Sequence, residues 1–358
     1  MKRVGIAAVF TGPGQPLQIR RFDVQSPEPG EILVRVTGCT LCGSDLVSFE
    51  GRRPTPLPTI LGHEVIGRVE EFGADAPRQD RNGLPLKPGD RLTWTIVASC
   101  SQCFYCLRQL PQKCEAMVKY GHELVQPGRV WTGGLAEYCM LAPGTAIFRL
   151  PDSLSDEAAC PANCATATVA AALRAAGELK DRVALIQGAG MLGVTACAMA
   201  RAAGAAEVIC CDIKPARLTK AEEFGATRAV LSDDLAAAVR KATGKYGVDV
   251  ALEFSGSPDA FISGLSSLRI GGIYTLVGGV FPTPPTPIQM EDIIRRQLTI
   301  RGVHNYRPED LQTALHFLEM TSQLPFDRLV TDWTPLADAE RAFQRAKDSA
   351  VFRIGIRN

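Results

Sequence analysis

Five side chains in two short segments have the types and spacing of a metal-dependent catalytic site. Cys42 and His63 can supply one thiolate and one imidazole, a mixture of ligands that zinc favours. Ser44 follows two residues after the cysteine and can offer a hydroxyl to a molecule at an open metal position. Asp45 and Glu64 each stand beside a candidate ligand, where carboxylates often orient metal ligands. Taken alone, these residues favour the alternative of a buried cysteine and a hydrogen-bonded histidine that never meet, and the rest of the chain reverses this preference.

A cluster of four cysteines follows, formed by Cys100, Cys103, Cys106 and Cys114. Thiolates at such short spacings can surround one zinc ion tetrahedrally without ligands from distant parts of the chain. Because four protein ligands leave no position for a substrate, the spacing predicts a structural zinc site. Four unrelated cysteines in one loop are the alternative, which their density disfavours.

A third candidate site is the glycine-rich segment Gly188, Gly190 and Gly193. An apolar strand pattern precedes it, an Ala-rich helical pattern follows it, and the next strand pattern ends in Asp212. This context is typical of a dinucleotide fold, in which the glycines admit the pyrophosphate and the carboxylate binds the ribose hydroxyls. Since a carboxylate there repels a 2′-phosphate, NAD is predicted rather than NADP; an ordinary glycine-rich turn is the alternative. The candidate cofactor residues in this half of the chain are Gly188, Gly190, Met191, Leu192, Gly193, Asp212, Ile213, Arg217, Val277, Gly278 and Gly279.

The elements that must position these residues fall into two patterns. Short strands punctuated by glycine and proline fill the first part of the chain, such as 31–36 and 65–69, and predict a partly antiparallel β domain. From about Asp156 apolar strands alternate with helical segments, which predicts a doubly wound parallel sheet. Gly278 and Gly279 follow one of these strands and are expected near the nicotinamide end of the cofactor.

Length and composition agree with a two-domain enzyme. The chain has 358 residues, 46% of them hydrophobic and 22% charged, and its net charge is +1. With no long basic tract, the sequence predicts no nucleic-acid partner, and with no long apolar run it predicts neither a membrane span nor a signal peptide. The clustering of cysteines favours metal binding in a reducing cytoplasm over a disulfide framework.

Together these motifs make the chain resemble the zinc-dependent medium-chain alcohol dehydrogenases. The resemblance implies a GroES-like catalytic domain at 1–160 and 303–358, interrupted by a Rossmann NAD-binding domain at 161–302. It also implies one structural zinc ion and one catalytic zinc ion, the latter bound by Cys42, His63 and Cys164. Glu64 is an alternative ligand in that family, and Cys160 is the rival for the third position. A homodimer or homotetramer is expected on the same grounds.

The reaction implied by the resemblance is hydride transfer between an alcohol and NAD. Zinc would lower the pKa of the alcohol, and Ser44 would accept a hydrogen bond from the substrate oxygen and pass the proton outward. Asp45 is expected to hold His63, and Arg353 matches a family arginine that neighbours the cofactor pyrophosphate. The chain departs from many relatives at Val47, where they place a relay histidine, so the proton must leave by another route.

The sequence indicates the substrate less directly than it indicates the metal and the cofactor. Arg53 falls where relatives have an apolar pocket residue, and His304 matches a family position near substrate and nicotinamide. Ile96 is a candidate for the border of the pocket, with an ordinary core residue as the alternative. An arginine facing a buried metal pocket would suit an anion, although Arg53 could also be a solvated loop residue. The stretches Ala-Asn-Cys-Ala-Thr-Ala-Thr at 162–168 and His-Asn-Tyr-Arg-Pro at 304–308 resemble dehydrogenases associated with phosphonate catabolism. This resemblance implies a hydroxyalkylphosphonate or the matching aldehyde as substrate, and a neutral polyol or secondary alcohol is the alternative. A non-enzymatic NAD-binding protein and a zinc redox sensor are alternatives of another class.

Overall fold

A computed structural model describes residues 3–348 and 350–357 of the chain. The chain divides into two compact units: unit 1 extends to Cys164 and resumes at Arg307, and unit 2 is Ala165–Tyr306. The boundaries expected from the sequence, after residues 160 and 302, each lie a few residues earlier than these. The difference matters at the first junction, because it leaves Cys164 in the same unit as Cys42 and His63.

The strands of unit 1 are β1 (Val4–Phe10), β2 (Gln18–Asp23), β3 (Ile32–Thr40), β4 (Thr59–Ile60), β5 (Glu64–Phe72), β6 (Arg91–Trp94), β7 (Val97–Ala98), β8 (Val118–Lys119), β9 (Tyr138–Leu141), β10 (Ile147–Arg149), β17 (Val330–Pro335) and β18 (Arg353–Arg357). Its main sheet is largely antiparallel and has the strand order β10-β6-β5-β3-β18-β17, with β9 also pairing with β3. Smaller sheets have the orders β2-β1-β4 and β7-β8. The helices are α1 (Gly43–Phe49), α2 (Asp156–Ala159), α9 (Pro308–Met320) and α10 (Ala339–Ala346).

The register of this sheet brings the candidate catalytic residues to one end of it. Thr40, the last residue of β3, lies opposite Glu64 at the start of β5 and opposite Gly355 in β18. Cys42 comes just after β3, His63 comes just before β5, and Arg353 begins β18. The register therefore brings these three residues to the same end of the sheet. Strands β6 and β7 are separate, since β6 ends at Trp94 and β7 begins at Val97.

The strands of unit 2 are β11 (Val183–Gln187), β12 (Glu207–Asp212), β13 (Arg228–Leu231), β14 (Val248–Glu253), β15 (Leu268–Leu276) and β16 (Thr299–Gly302). They form a parallel sheet with the order β13-β12-β11-β14-β15-β16, which confirms the predicted doubly wound fold. The central strand β11 is apolar because helices cover both faces of the sheet; Ala184, Leu185 and Ile186 are fully buried. The helices are α3 (Ala165–Ala176), α4 (Met191–Ala202), α5 (Pro215–Glu223), α6 (Leu235–Thr243), α7 (Pro258–Ser267) and α8 (Met290–Arg295).

A search of the described residues for membrane-spanning helices found none, because no helix there combines the necessary length with sufficient apolar character.

Candidate active site

Cys42, His63 and Cys164 come together at the end of the unit 1 sheet. Their ligand atoms all lie within 4.8 Å of one another. Cys42 caps α1, His63 immediately precedes β5, and Cys164 follows a 3₁₀ turn at Cys160–Asn163. Two sulfurs and one imidazole fit a zinc ion and leave a coordination position open, as in catalytic zinc sites. Cys160, the rival thiol, is directed elsewhere and donates to the Glu64 carbonyl oxygen at 3.2 Å.

The orientation of the His63 ring is fixed by Asp45, as expected from the sequence. Oδ1 of Asp45 lies 3.2 Å from Nδ1 of His63 and also accepts from the Gly62 backbone N–H, while Oδ2 accepts from the N–H of Cys42. Since Nδ1 is held in this way, the lone pair available to a metal belongs to Nε2. Ser44 Oγ stands 3.4 Å from that Nε2, so the hydroxyl lies beside the open metal position.

The Cys42 and Cys164 sulfurs form a hydrogen-bonded pair that differs in acidity. The hydrogen bond from Cys164 lowers the pKa of the Cys42 thiol well below its usual range, and the positive charges of Arg353 and His63 act in the same direction. The same hydrogen bond and burial raise the pKa of Cys164. Binding of a divalent metal would favour deprotonation of both sulfurs, because a cysteine binds a metal as the thiolate.

Asn163 is a positioning residue that was not assigned a role from the sequence. Its buried Nδ2 donates to the carbonyl oxygens of His63 at 3.1 Å and Trp94 at 2.9 Å, and its Oδ1 accepts from the N–H of Val65 at 3.2 Å. These bonds fasten the segment that carries Cys164 to strands β5 and β6. A polar residue between Ala162 and Cys164 was the available signal, but its partners are distant in sequence.

Glu64 does not belong to the group of ligand atoms around the metal position. Its fully buried carboxylate accepts from Nε of Arg353 at 2.7 Å, from another nitrogen of the same guanidinium at 2.8 Å, and from Thr40 Oγ1 at 2.6 Å. The guanidinium also lies 3.7 Å from the Cys42 sulfur. Arg353 therefore neutralises Glu64 directly behind the metal ligands, and the contact of Arg353 with a cofactor pyrophosphate stays a prediction.

The four cysteines of the second motif also converge. Their sulfurs lie within 4.8 Å of one another, with 3.4 Å between Cys114 and Cys100 and 4.0 Å between Cys114 and Cys103. A tetrahedron of zinc–sulfur bonds has edges of about 3.8 Å, so these distances suit a four-coordinate ion. Backbone N–H groups, first that of Glu115, donate to Cys103 and lower the pKa of its thiol to about 6, which favours the thiolate.

The glycine-rich loop of unit 2 has the backbone that a pyrophosphate requires. Gly188 has a φ of +90°, and a Cβ on Gly193 would lie 1.7 Å from the Gly188 carbonyl oxygen, so glycine alone fits there. Gly190 is the N-cap residue of α4, and Met191 and Leu192 belong to the first turn of that helix. The loop therefore presents a helix N-terminus to an incoming anion, as in dinucleotide-binding folds.

Asp212 closes one side of this loop at the end of β12. Its carboxylate accepts from the Ala189 N–H at 2.7 Å and from the Lys214 N–H at 2.8 Å, and it is largely buried. The guanidinium of Arg217 is also close to the loop, since it lies 3.7 Å from the position that a Cβ on Gly190 would occupy. One anion and one cation thus border the predicted position of the adenosine ribose.

The other predicted cofactor residues of unit 2 differ in exposure. Val277 is buried after β15, and Gly278 donates to the Glu253 carbonyl oxygen at 3.0 Å. Nothing would obstruct a Cβ on Gly279, so this backbone is open on one side. Ile213 is 77% exposed and therefore available to a ligand.

The three predicted substrate residues are divided between the units. Arg53 is half-buried in unit 1, in the loop that follows α1. Ile96, also in unit 1, has a buried side chain, and its carbonyl oxygen accepts from the N–H of Tyr120. His304 is exposed in unit 2, after β16.

Comparisons with known proteins agree with this arrangement. Residues 28–152 match the alcohol dehydrogenase GroES-like domain family, and residues 192–320 match the zinc-binding dehydrogenase family. An alcohol dehydrogenase of Geobacillus stearothermophilus is 33% identical over 317 residues, which cover 87% of this chain and 88% of that protein. D-arabitol-phosphate dehydrogenase of Enterococcus avium is 30% identical over 347 residues, which cover 95% and 94%. The crystal structure of an alcohol dehydrogenase from Thermotoga maritima superposes with a TM-score of 0.93 at 28% identity and covers 99% of both chains. The chain therefore belongs to the zinc-binding, medium-chain alcohol dehydrogenase family.

Proposed function

We propose that this protein is an NAD-dependent dehydrogenase of a small alcohol that carries a phosphonate or a similar anionic group. In the forward direction the alcohol carbon gives a hydride to the nicotinamide of NAD, the hydroxyl gives up its proton, and an aldehyde or ketone results. Zinc held by Cys42, His63 and Cys164 would supply the Lewis acidity that makes the hydroxyl easier to ionise. A second zinc ion would be held by the four cysteines as a structural element.

The residues of unit 1 have separate tasks in this reaction. Ser44 lies beside the open metal position and can accept a hydrogen bond from the substrate hydroxyl. Asp45 keeps the His63 ring in the orientation that leaves Nε2 for the metal. The ion pair of Glu64 with Arg353 cancels charge behind the ligands, so that ionisation of the substrate is not opposed by a free carboxylate.

The environment of Arg53 is the observation that supports an anionic substrate. Its side chain is half-buried, burial lowers the pKa of its guanidinium, and Asp45 and Cys42 are the anionic groups near it. Among the described residues it forms no ion pair, whereas its neighbour Arg52 is exposed and pairs with Glu50 at 2.8 Å. A half-buried guanidinium that lacks an ion-pair partner there and stands near candidate metal ligands suits a carboxylate, phosphate or phosphonate. One relative, the dehydrogenase of D-arabitol phosphate, is named for a substrate that bears such a group.

Replacement of Arg53 tests this proposal. NAD reduction by the zinc-loaded enzyme would be followed with hydroxyethylphosphonate and with propanol, a neutral alcohol of similar size. We expect wild type to prefer the phosphonate, and Arg53→Ala to lower that preference about tenfold or more, because a buried charge-assisted contact is lost. Arg52→Ala removes the same charge from an exposed position and should leave the preference unchanged. Preference of wild type for propanol would contradict the anionic substrate while leaving the dehydrogenase in place.

The choice of NAD over NADP is tested at Asp212. Its carboxylate borders the predicted ribose position, so a 2′-phosphate would be repelled, and wild type should have the higher kcat/KM with NAD. Asp212→Ser should lower kcat/KM for NAD and raise it for NADP, because the repulsion is lost while the Arg217 guanidinium stays beside Gly190. Steady-state kinetics with both cofactors give the result, and Asp233→Ser, an exposed carboxylate of the same unit, is the control. A wild-type preference for NADP would contradict the assignment.

A further inference from the structure

Besides Arg353 and Arg53, Lys119 is a cation close to the candidate metal site, where Cys164 and Asp45 act on it. It ends β8, and its side chain is half-buried. Glu123, four residues after Lys119, accepts from the backbone N–H of Lys119 at 2.8 Å and pairs with Arg129 at 3.3 Å. Within the described residues, the Lys119 ammonium group forms no ion pair.

The turn that follows Lys119 packs against the histidine ligand. Gly121 has a φ of +78°, and a Cβ on it would lie 2.7 Å from the Gly62 carbonyl oxygen and 3.2 Å from the Cβ of His63. The ring of His122 lies 5.5 Å from the ring of His63. Position 121 therefore needs glycine, and the turn after Lys119 is held against the segment that carries His63. Thr59 Oγ1 donates to the Glu123 carbonyl oxygen at 2.7 Å and the Val125 N–H donates to the Pro58 carbonyl oxygen at 2.8 Å, so the same segment also contacts the loop that follows Arg53.

The charges around Lys119 leave a positive excess. Burial lowers the pKa of Lys119 to about 8, and the positive charge of Arg53 adds to this effect, while Cys164 and Asp45 oppose it. Asp45 already accepts hydrogen bonds from the His63 ring and from backbone N–H groups. A divalent metal would balance the two ligand thiolates, and Glu64 balances Arg353. Arg53 and Lys119 thus share the Asp45 carboxylate, and Lys113 is a further cation whose charge acts on Lys119.

We propose that Lys119 and Arg53 together bind the tetrahedral dianionic group of the substrate, a phosphonate or a phosphate monoester. The planar guanidinium can form two parallel hydrogen bonds to such a group, and the ammonium acts as a point charge on a remaining oxygen. Two like charges held out of water repel each other, and a dianion relieves this repulsion more than a carboxylate does. This inference rests on the proposed function and adds Lys119 as a specificity-determining residue.

Selectivity between a dianion and a monoanion is the measurement that tests the pair. The kcat/KM values of the zinc-loaded enzyme would be compared for hydroxyethylphosphonate, hydroxyethyl phosphate, hydroxypropanoate and propanol. We expect wild type to favour the two dianionic substrates over the carboxylate, and Lys119→Met to reduce this ratio roughly 10- to 100-fold. Lys119→Arg keeps the charge and should retain most of the ratio, and Lys87→Met, at an exposed lysine of unit 1, should leave it unchanged. The first two substrates decide whether phosphonate or phosphate is the better source of the dianion.

A binding measurement separates failure of this inference from failure of the proposed function. Methylphosphonate and acetate would be titrated calorimetrically into zinc-loaded enzyme saturated with NAD, so that the pyrophosphate site is occupied. Tighter binding of methylphosphonate that weakens about tenfold or more in Lys119→Met supports the dianion site even if no tested alcohol is oxidised. If alcohols are oxidised but the dianion-to-monoanion ratio is the same in wild type and Lys119→Met, Lys119 plays no part in specificity. Equal affinity of wild type for methylphosphonate and acetate would likewise overturn the proposal.

Discussion

Replacing Cys42 or His63 with alanine is expected to lower kcat/KM for the alcohol about a thousandfold or more. Each residue supplies one of the three ligand atoms that lie within 4.8 Å of one another, and the remaining two would not retain zinc in a catalytic geometry. The Lewis acidity of such an ion accounts for several kcal/mol of transition-state stabilisation, and about 1.4 kcal/mol corresponds to a factor of ten in rate. Initial rates of NAD reduction and the zinc content of the purified variants are the two measurements.

A loss of activity alone would not identify these residues as metal ligands. NAD affinity, measured by fluorescence titration, should be unchanged in both variants, because the cofactor loop belongs to unit 2. Zinc content should fall by one equivalent and not by two, since the four-cysteine cluster is untouched. Cys139→Ala removes a buried thiol in β9 that belongs to neither cluster and should retain both activity and zinc. A Cys42 variant with full zinc content and wild-type rates would contradict the assigned site.

Replacing Arg353 with methionine is expected to destabilise unit 1 by about 3–5 kcal/mol, because Glu64 would be left as an unpaired buried charge. For a domain of this size, the change corresponds to a fall in Tm of roughly 6–20 °C. All three tryptophans of the chain, Trp94, Trp131 and Trp333, lie in unit 1, so their fluorescence reports its unfolding.

A double variant shows whether the loss comes from the orphaned carboxylate. Arg353→Met combined with Glu64→Gln should recover much of the Tm lost in the single variant, because no charge is then buried without a partner. Arg81→Met is the matched control, since Arg81 pairs with Glu309 at 3.0 Å on the surface of unit 1 and exposed pairs contribute about 1 kcal/mol or less. Equal Tm values for Arg353→Met and Arg81→Met would show that the buried pair is unimportant for stability.

The parts of the site that the sequence predicted depend on local spacing. The four cysteines are close in the chain, and Gly188, Gly193 and Asp212 belong to one regular βαβ unit, so short-range geometry is enough to bring each group together. Periodicity similarly predicted the alternation of unit 2, where buried parallel strands are apolar throughout. Cys164, in contrast, was assigned through family resemblance, since its spacing from His63 carries no local signal.

The contacts that were not predicted join residues far apart in the chain. Arg353 was expected at the cofactor, yet it binds Glu64 from 289 positions away, and the side chain of Asn163 bonds to His63 across 100 positions. In the sequence, no motif distinguishes Lys119 from an ordinary lysine that follows a cysteine-rich loop. Its significance depends on the absence of a partner among the described residues and on the packing of Gly121 against Gly62. Such properties follow from the tertiary arrangement and leave no periodic pattern.

The long sequence separation between Arg353 and the residues it contacts also sets an order of events during biosynthesis. Unit 2 is a continuous segment and can fold as soon as it emerges from the ribosome, whereas unit 1 is interrupted by it. At about 5–20 residues per second, Arg353 is synthesised roughly 15–60 s after Cys42, because 311 positions separate them. Until then Glu64 has no guanidinium partner, and β18 is not available to complete the sheet beside β3. The nascent catalytic centre therefore acquires its finished electrostatic surroundings only after the dinucleotide-binding unit has been made.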